Sequence, residues 1–324
     1  MREVKRKTLR DSCDMQKRFQ SRVLSGSIWR CYSNDPNGKT VEMIQTARQL
    51  KALVRNMSKS DSNKAMIIIR NYVMERFLER LAVSPYRDNL ILKGGTLVSA
   101  MVGLDNRSTM DVDTTVKNLT LTEEKAHEIV SEITSIPLDD GMTFTIAGVT
   151  TIMDDADYPG VRVQLDTCLE TMHTPLKIDF STDDVITPGE ILYVFKLIFE
   201  DRTISLLAYN LETVLAEKLE TILSRGTLNT RMRDFYDIYV LGISQQDNID
   251  ADTLGRALIN TAEKRGSLPV IDHVGTTIDE IENSSALQSL WENYRTSFDY
   301  AADIQWETII RAFRQMYDMA VPPR

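Results

Sequence analysis

One stretch constrains this chain more than any other: LKGGTLVSAMVGLDNRSTMDVDTT, from Leu92 to Thr115. A short apolar run, Asn89-Leu90-Ile91-Leu92, ends in Lys93-Gly94-Gly95-Thr96. An apolar segment with Leu97, Val98, Ala100, Met101 and Val102 follows. The pattern predicts a strand, a tight turn and a helix. A polar turn from Leu104 to Thr109 then leads into Asp111-Val112-Asp113. In a strand, residues two apart share a face, so Asp111 and Asp113 point the same way and Val112 turns to the core. Paired glycines at a helix start let backbone N–H groups approach a polyphosphate, and the helix dipole adds attraction. Two ionised carboxylates side by side repel unless a cation lies between them. Hard oxygen donors of this kind suit Mg²⁺ or Mn²⁺, and Mg²⁺ brings substrate phosphates with it. Lys93, Gly94, Gly95 and Thr96 are therefore candidate nucleotide contacts, and Asp111 and Asp113 are candidate metal ligands. Either element alone is common. Their order and spacing outline a phosphoryl- or nucleotidyl-transfer site.

Further along, Leu176-Lys177-Ile178-Asp179-Phe180 alternates, with Leu176, Ile178 and Phe180 inward and Lys177 and Asp179 on the other face. Beside the first motif, Asp179 is the natural third carboxylate, and three acidic groups can hold two ions ~4 Å apart. Strands are also predicted at Thr143 to Met153 and Val161 to Leu169, joined by a hairpin connection at Asp154 to Gly160. A second hairpin, Glu190 to Phe199 with Thr203 to Leu207, turns at Glu200-Asp201-Arg202. Asn210 is placed to cap a helix with Leu211, Val214, Leu215, Leu219 and Ile222 inside, and that helix presents Glu217 and Lys218. Lys218 supplies a mobile point charge suited to phosphate. In the following block, Arg231 to Tyr239, Asp234 and Asp237 lie one helical turn apart. There they could fix Lys218, bind a metal or orient a nucleotide.

LKGGT, the Leu104-Asp105-x-Arg107-x-Thr109-x-Asp111-x-Asp113 segment, Ala216-Glu217-Lys218-Leu219 and Arg233-Asp234-x-x-Asp237 together resemble the motifs of the AbiEii family. These are nucleotidyltransferase toxins of bacterial abortive-infection and toxin–antitoxin systems, within the DNA-polymerase-β-like superfamily. The resemblance runs from about Met43 to about Leu241. It implies an α/β fold: a mixed, twisted polymerase-β-like sheet with flanking helices, plus a C-terminal helical domain. It implies catalytic roles for Asp111, Asp113, Lys218 and Asp234, and metal ligation by Asp111, Asp113 and Asp179. Nucleotide contacts would fall to Lys93, Gly94, Gly95, Thr96, Arg107, Lys177, Arg233 and Asp237. It also implies an NTP substrate, a tRNA 3′ end as RNA acceptor, growth arrest, and a DNA-binding antitoxin encoded alongside. Two rivals remain open: a kinase moving a γ-phosphoryl group with the same carboxylates, and a catalytically silent nucleotide-sensing interaction protein.

The rest of the chain reads as scaffold. Residues 1–42 carry ten Lys/Arg against five Asp/Glu and show little hydrophobic period, so they read as a loosely ordered basic extension. A core domain over 43–208 and a helical domain over 209–324 complete the expected organisation. Ile44, Ala47, Leu50, Leu53 and Val54 predict a first helix. After a break at Ser58 to Ser62, Met66, Ile67, Ile69, Val73, Phe77 and Leu78 predict a second, with Arg70, Glu75, Glu79 and Arg80 as its wet side. Thr120-Leu121-Thr122-Glu123 reads as a capping box, and His127 in the helix behind it as a surface residue. Helices are expected at Leu254 to Ala262, Thr277 to Tyr294 and Ile304 to Met319, with Trp291, Tyr294, Phe298, Tyr300, Trp306, Phe313 and Tyr317 in their core. The formal net charge of -9 argues against nonspecific coating of nucleic acid. Three widely spaced cysteines fit neither a disulfide framework nor a zinc site, which points to a reducing cytoplasm. No apolar run approaches the ~20 residues that span a membrane. No Ser-His-Asp or Cys-His arrangement is visible to compete with the carboxylates.

Overall fold

The computed structural model describes residues 43–322, apart from 110, 153–159 and 273. The expected basic extension over 1–42 and the tip of the first hairpin connection lie outside the described residues. Helix α1 (Ala47–Ser58) begins at Thr46, whose hydroxyl accepts from Gln49 N, while the Gln49 side chain returns to the Thr46 N–H. Its buried side is Ala47, Leu50 and Val54; Leu53, expected inside, is exposed.

Helix α2 (Ser62–Val83) starts at Asp61, which accepts from Asn63 N and Lys64 N. Its expected wet side is buried: Glu75, Glu79 and Arg80 lie inside, together with Arg76. Their partners are distant in sequence. Arg76 Nη1 donates to Glu200 Oε1 at 2.8 Å, Arg202 Nη1 meets Glu79 at 2.6 Å, and Arg80 forks onto Asp140 at 2.6 and 2.9 Å. Burial of Arg76, Glu79 and Arg80 is tolerable because each meets an opposite charge, whereas burial pushes the Glu75 carboxyl up to about 8, where it accepts from Asn71 and the Ile198 N–H. Helical period counts polarity but not partners, which is why the reading failed here.

Among the described residues the sheet has seven strands: β1 (Leu90–Leu92), β2 (Asp111–Val116), β3 (Met142–Ile152), β4 (Gly160–Leu169), β5 (Met172–Thr182), β6 (Ile191–Lys196) and β7 (Thr203–Ala208). Their order is β3-β4-β5-β2-β1-β7-β6. Pairs β2–β5 and β1–β7 are parallel and the others antiparallel, so the sheet is mixed as expected. Alternation decides the faces. Val112, Val163, Leu165, Leu176, Ile178 and Phe180 are buried, and α2 packs against β5 and β7. Helix α4 (Glu123–Ser135) packs on β3, β4 and α2. Its N-cap is Thr122, accepting from Lys125 N, rather than Thr120; Glu123 instead accepts from Thr151 N.

Helix α3 (Gly94–Val102) joins β1 to the turn before β2. The helical part comprises α5 (Leu211–Arg225), α6 (Met232–Ser244), α7 (Ala251–Lys264), α8 (Leu268–Asp272), α9 (Val274–Asn283), α10 (Ser285–Ser297) and α11 (Trp306–Ala320). The helix expected over Thr277 to Tyr294 divides at Ser284, whose hydroxyl accepts from Leu287 N and starts a new helix. Asn210 stands at the start of α5 but does not cap with its side chain, which donates to Thr187 O and Glu212 instead. Phe235 touches Trp306 and Phe313 at centroid distances of 5.6 and 5.7 Å, an aromatic core of the kind expected.

Candidate active site

The wet face of the sheet carries a row of charges across four strands. Register sets Arg162 of β4 opposite Asp179 of β5, and Asp179 opposite Asp113 of β2. Lys93, at the end of β1, donates its N–H to Asp113 O at 3.0 Å. The row therefore reads cation, carboxylate, carboxylate, cation. Two residues along, Asp111 pairs in register with Lys177. Arg162 grips Asp179 with both prongs, Nε to Oδ1 at 2.7 Å and Nη2 to Oδ2 at 2.6 Å. Lys93 Nζ donates to Asp184 Oδ2 at 2.6 Å. Burial raises the Asp113 carboxyl to about 6, and the neighbouring Asp179 adds to that, while Lys93 and the Gly95 N–H pull it down. Burial alone would depress the Lys93 ammonium, but Glu217 and Asp184 hold it above the usual lysine range.

The glycine turn serves this row. Gly94 adopts φ +58°, and a Cβ there would lie 2.7 Å from Asp113 Cγ, so only glycine lets α3 start so close to the carboxylate. The Gly95 N–H donates to Asp113 Oδ2 at 2.9 Å. The helix N-terminus thus already faces an anion, and it is Asp113. Thr96 turns its hydroxyl to Asp111 O at 2.6 Å and is fully buried, so it braces β2.

On the far side of the turn lies a second, differently ordered group of charges. Arg107 Nε and Nη2 meet Asp237 at 2.6 and 3.2 Å. Lys218 Nζ donates to Asp237 Oδ2 at 2.6 Å and to Asp234 Oδ1 at 3.0 Å, and Arg231 Nε reaches Asp234 Oδ2 at 2.6 Å. Asp234 and Asp237 thus both hold the Lys218 ammonium. Burial would raise Asp234, but Lys218 and Arg231 outweigh it and hold its carboxyl down at about 2. The two groups touch at Gly95, where a Cβ would lie 3.1 Å from both Arg107 Nη2 and Thr109 Oγ1. Arg233 stands apart, exposed, with its guanidinium over the Phe298 ring.

A cleft joins the row to the helices. Its lining includes Lys93, Asp113, Asp179, Asp183, Asp184, Glu217, Lys264 and Arg265. Acidic side chains outnumber basic ones there, so a bare polyphosphate meets a repulsive wall unless cations come with it. Oxygen donors on one face of β2 and β5 suit a hard divalent cation, so the residues fit such an ion. As the side chains stand, no three His, Cys, Asp or Glu groups among the described residues form a ready metal cage, and Arg162 holds the Asp179 oxygens.

Sequence reasoning missed Arg162 and Asp184. Arg162 could have been found: a two-residue turn at Glu170-Thr171 between alternating runs fixes its register with Asp179. Asp184, which also accepts from Thr115 and Ser181, sits on a loop and carries no such signal. A Cys-His contact exists after all: Cys168 Sγ lies 3.8 Å from His173 Nε2, with Asp166 on the other ring nitrogen at 3.1 Å. That group is on the exposed end of the β4–β5 hairpin, outside the cleft lining.

A family model described as "Nucleotidyl transferase AbiEii toxin, Type IV TA system" matches residues 76–318. No curated protein matches the chain. Among solved structures, JHP933 from Helicobacter pylori is 15% identical with a TM-score of 0.43, over 78% of this chain and 91% of that one. An antigenic nucleotidyltransferase-like protein from Paracoccidioides brasiliensis is also 15% identical, with a TM-score of 0.32, over 69% of this chain and 92% of that one. The family match covers both charged groups and the cleft beside the carboxylate row.

Proposed function

The chain belongs to the AbiEii family of nucleotidyltransferase toxins of type IV toxin–antitoxin systems, and from that premise we propose the following reaction. An acceptor hydroxyl attacks the α-phosphorus of an NTP. The new O–P bond forms as the α–β phosphoanhydride bond breaks, and pyrophosphate leaves. We propose a tRNA 3′ end as the acceptor, growth arrest in the cytoplasm as the outcome, and a DNA-binding antitoxin as the partner that family membership implies.

The observation that carries this reading is Asp113 abreast of Asp179, with Asp111 two residues away on the same strand face and a cleft in front. A divalent cation held by Asp111, Asp113 and Asp179 would neutralise the phosphates and polarise the reacting group. The chain's own side chains do the positioning. Lys93 and Lys177 flank the carboxylates and supply cationic contacts for phosphate oxygens. The Gly94-Gly95 turn fixes the Asp113 carboxylate. Asp237 and Asp234 hold Lys218 in one place, and the Arg107 guanidinium lies close against Gly95. Little covalent help is needed at phosphorus, so placement and charge neutralisation carry the rate.

The test is to incubate the protein with each labelled NTP, Mg²⁺ and total RNA. Label in tRNA-sized RNA with release of pyrophosphate is the expected result. Labelled protein or RNA with release of nucleoside diphosphate would replace this reading with a kinase, and no turnover with any nucleotide would leave a nucleotide sensor. Asp111→Ala and Asp113→Ala should each lower transfer by about 10² to 10³-fold.

A further inference from the structure

Resting on that reading of the cleft, we propose that Arg162 is an exchangeable stand-in for the divalent cation. It holds Asp179 while the metal is absent, and it passes to a substrate phosphate when the metal takes the carboxylate.

The row across the sheet is the basis. Asp113 and Asp179 are in register on adjacent strands, and each end of the row carries one cation. The two cations are engaged differently. Lys93 is bound to Asp184, which is outside the row and is itself fixed by the Thr115 and Ser181 hydroxyls. Arg162 is bound to a member of the row, and its fork takes both Asp179 oxygens. A cation shared between Asp113 and Asp179 needs at least one of those oxygens and would then face a guanidinium of like charge. That repulsion favours movement of the guanidinium off Asp179 as the cation binds.

Arg162 is free to yield. Its side chain is 31% exposed and Asp179 is 18% exposed, whereas Arg107 and Asp237, the comparable fork on the other side of the turn, are 2% and 0% exposed. A guanidinium matches a phosphate edge as well as it matches a carboxylate, so the same fork can be satisfied on either partner. The acidic excess in the cleft lining gives the exchange a direction. Phosphate enters with its cation, the cation needs Asp179, and the released guanidinium meets the phosphate that arrived.

The proposal requires opposite signs in two binding measurements on the full chain at neutral pH. The first is Mn²⁺ binding without nucleotide, followed by electron paramagnetic resonance. Arg162→Gln should bind Mn²⁺ about tenfold more tightly than the unaltered protein, because an opposing charge next to a carboxylate shifts its ligand equilibria by about that factor. The second is tripolyphosphate binding in saturating Mg²⁺, followed by calorimetry, where the same variant should bind about tenfold more weakly. Arg162→Lys, which keeps the charge but loses the fork, should show both shifts in smaller measure. It serves as the test if Arg162→Gln does not fold. Unchanged Mn²⁺ affinity, or shifts of the same sign in both measurements, would overturn the role of Arg162. Asp113→Asn separates that failure from failure of the site itself. If Asp113→Asn binds Mn²⁺ as well as the unaltered protein does, the carboxylates are not the metal site and both readings fall together.

Discussion

Two clusters of aspartate, lysine and arginine meet at the Gly94-Gly95 turn and are wired in opposite ways. In the chain Arg107–Asp237–Lys218–Asp234–Arg231 the signs alternate, so every carboxylate touches two cations. In the row Arg162–Asp179–Asp113–Lys93 two carboxylates stand side by side. The consequence shows in the acids themselves. Asp234 is held down at about 2 by its cations despite burial, whereas burial and Asp179 push Asp113 up to about 6. The same residue types thus make an alternating brace in one place and two adjacent like charges in the other, and it is the adjacency, not the net charge, that sets the two carboxylates apart.

The sharpest way to break this contrast is Asp237→Ala. Asp237 is fully buried and is the shared partner of Arg107 and Lys218, so its removal leaves two buried cations short of a counter-charge. A loss of about 3–5 kcal/mol in urea unfolding is expected. A loss below about 1 kcal/mol would mean that the alternating chain is not a brace. Transfer should fall with it even under conditions where the variant is folded, because Lys218 loses its closer anchor.

The carboxylate row should respond to pH in the opposite sense to an ordinary paired aspartate. Asp113 titrates near 6 when folded and near 3.8 when unfolded, so between those values the folded state binds the proton more tightly. Metal-free stability should therefore rise as pH falls from about 6 to about 4, by about 2 kcal/mol once partial exposure is allowed for. Asp113→Asn should remove that slope in denaturation curves recorded at a series of pH values. A variant that keeps the slope would assign it to another group.

How far the sequence revealed these two clusters depends on what sets each contact. Strand alternation is local, so the pattern puts Asp111 with Asp113 on one face of β2 and Lys177 with Asp179 on one face of β5; that these are the same face of the sheet comes from the parallel register, which alternation does not carry. Helical spacing put Asp234 and Asp237 together for the same reason. Arg162 is legible too, because the two-residue turn of the β4–β5 hairpin fixes a register that pairs it with Asp179. The buried charges of α2 were misread because Glu75, Glu79 and Arg80 are neutralised or capped by residues as distant as Asp140, Ile198 and Arg202. Asp184 belongs to the same kind: only the folded loop brings it to Lys93.

Between the clusters, Gly94→Ala tests the turn they share. The added methyl meets the Asp113 carboxylate, and φ +58° disfavours any side chain, so a loss of about 1–2 kcal/mol is expected in thermal or urea unfolding. Because the clash is with Asp113 itself, transfer should drop far more than stability does. An active, merely destabilised variant would show that the turn is only a backbone device.

The smallest expected effect is at the outer end of the alternating chain, and it limits how far the brace extends. Arg231 contacts Asp234 at 2.6 Å, but its side chain is 46% exposed where that of Asp234 is 4% exposed. Water and salt screen such a half-exposed cation, so Arg231→Ala should cost about 0.5–1 kcal/mol and less at high ionic strength. Asp234 would keep Lys218 as its partner and remain ionised at neutral pH, so the rest of the chain should hold. A loss as large as that of Asp237→Ala would mean that all five groups act as one unit. A cycle combining Arg231→Ala with Asp237→Ala decides the matter: additive losses confine the brace to Arg107, Asp237, Lys218 and Asp234, and a strong coupling extends it to Arg231.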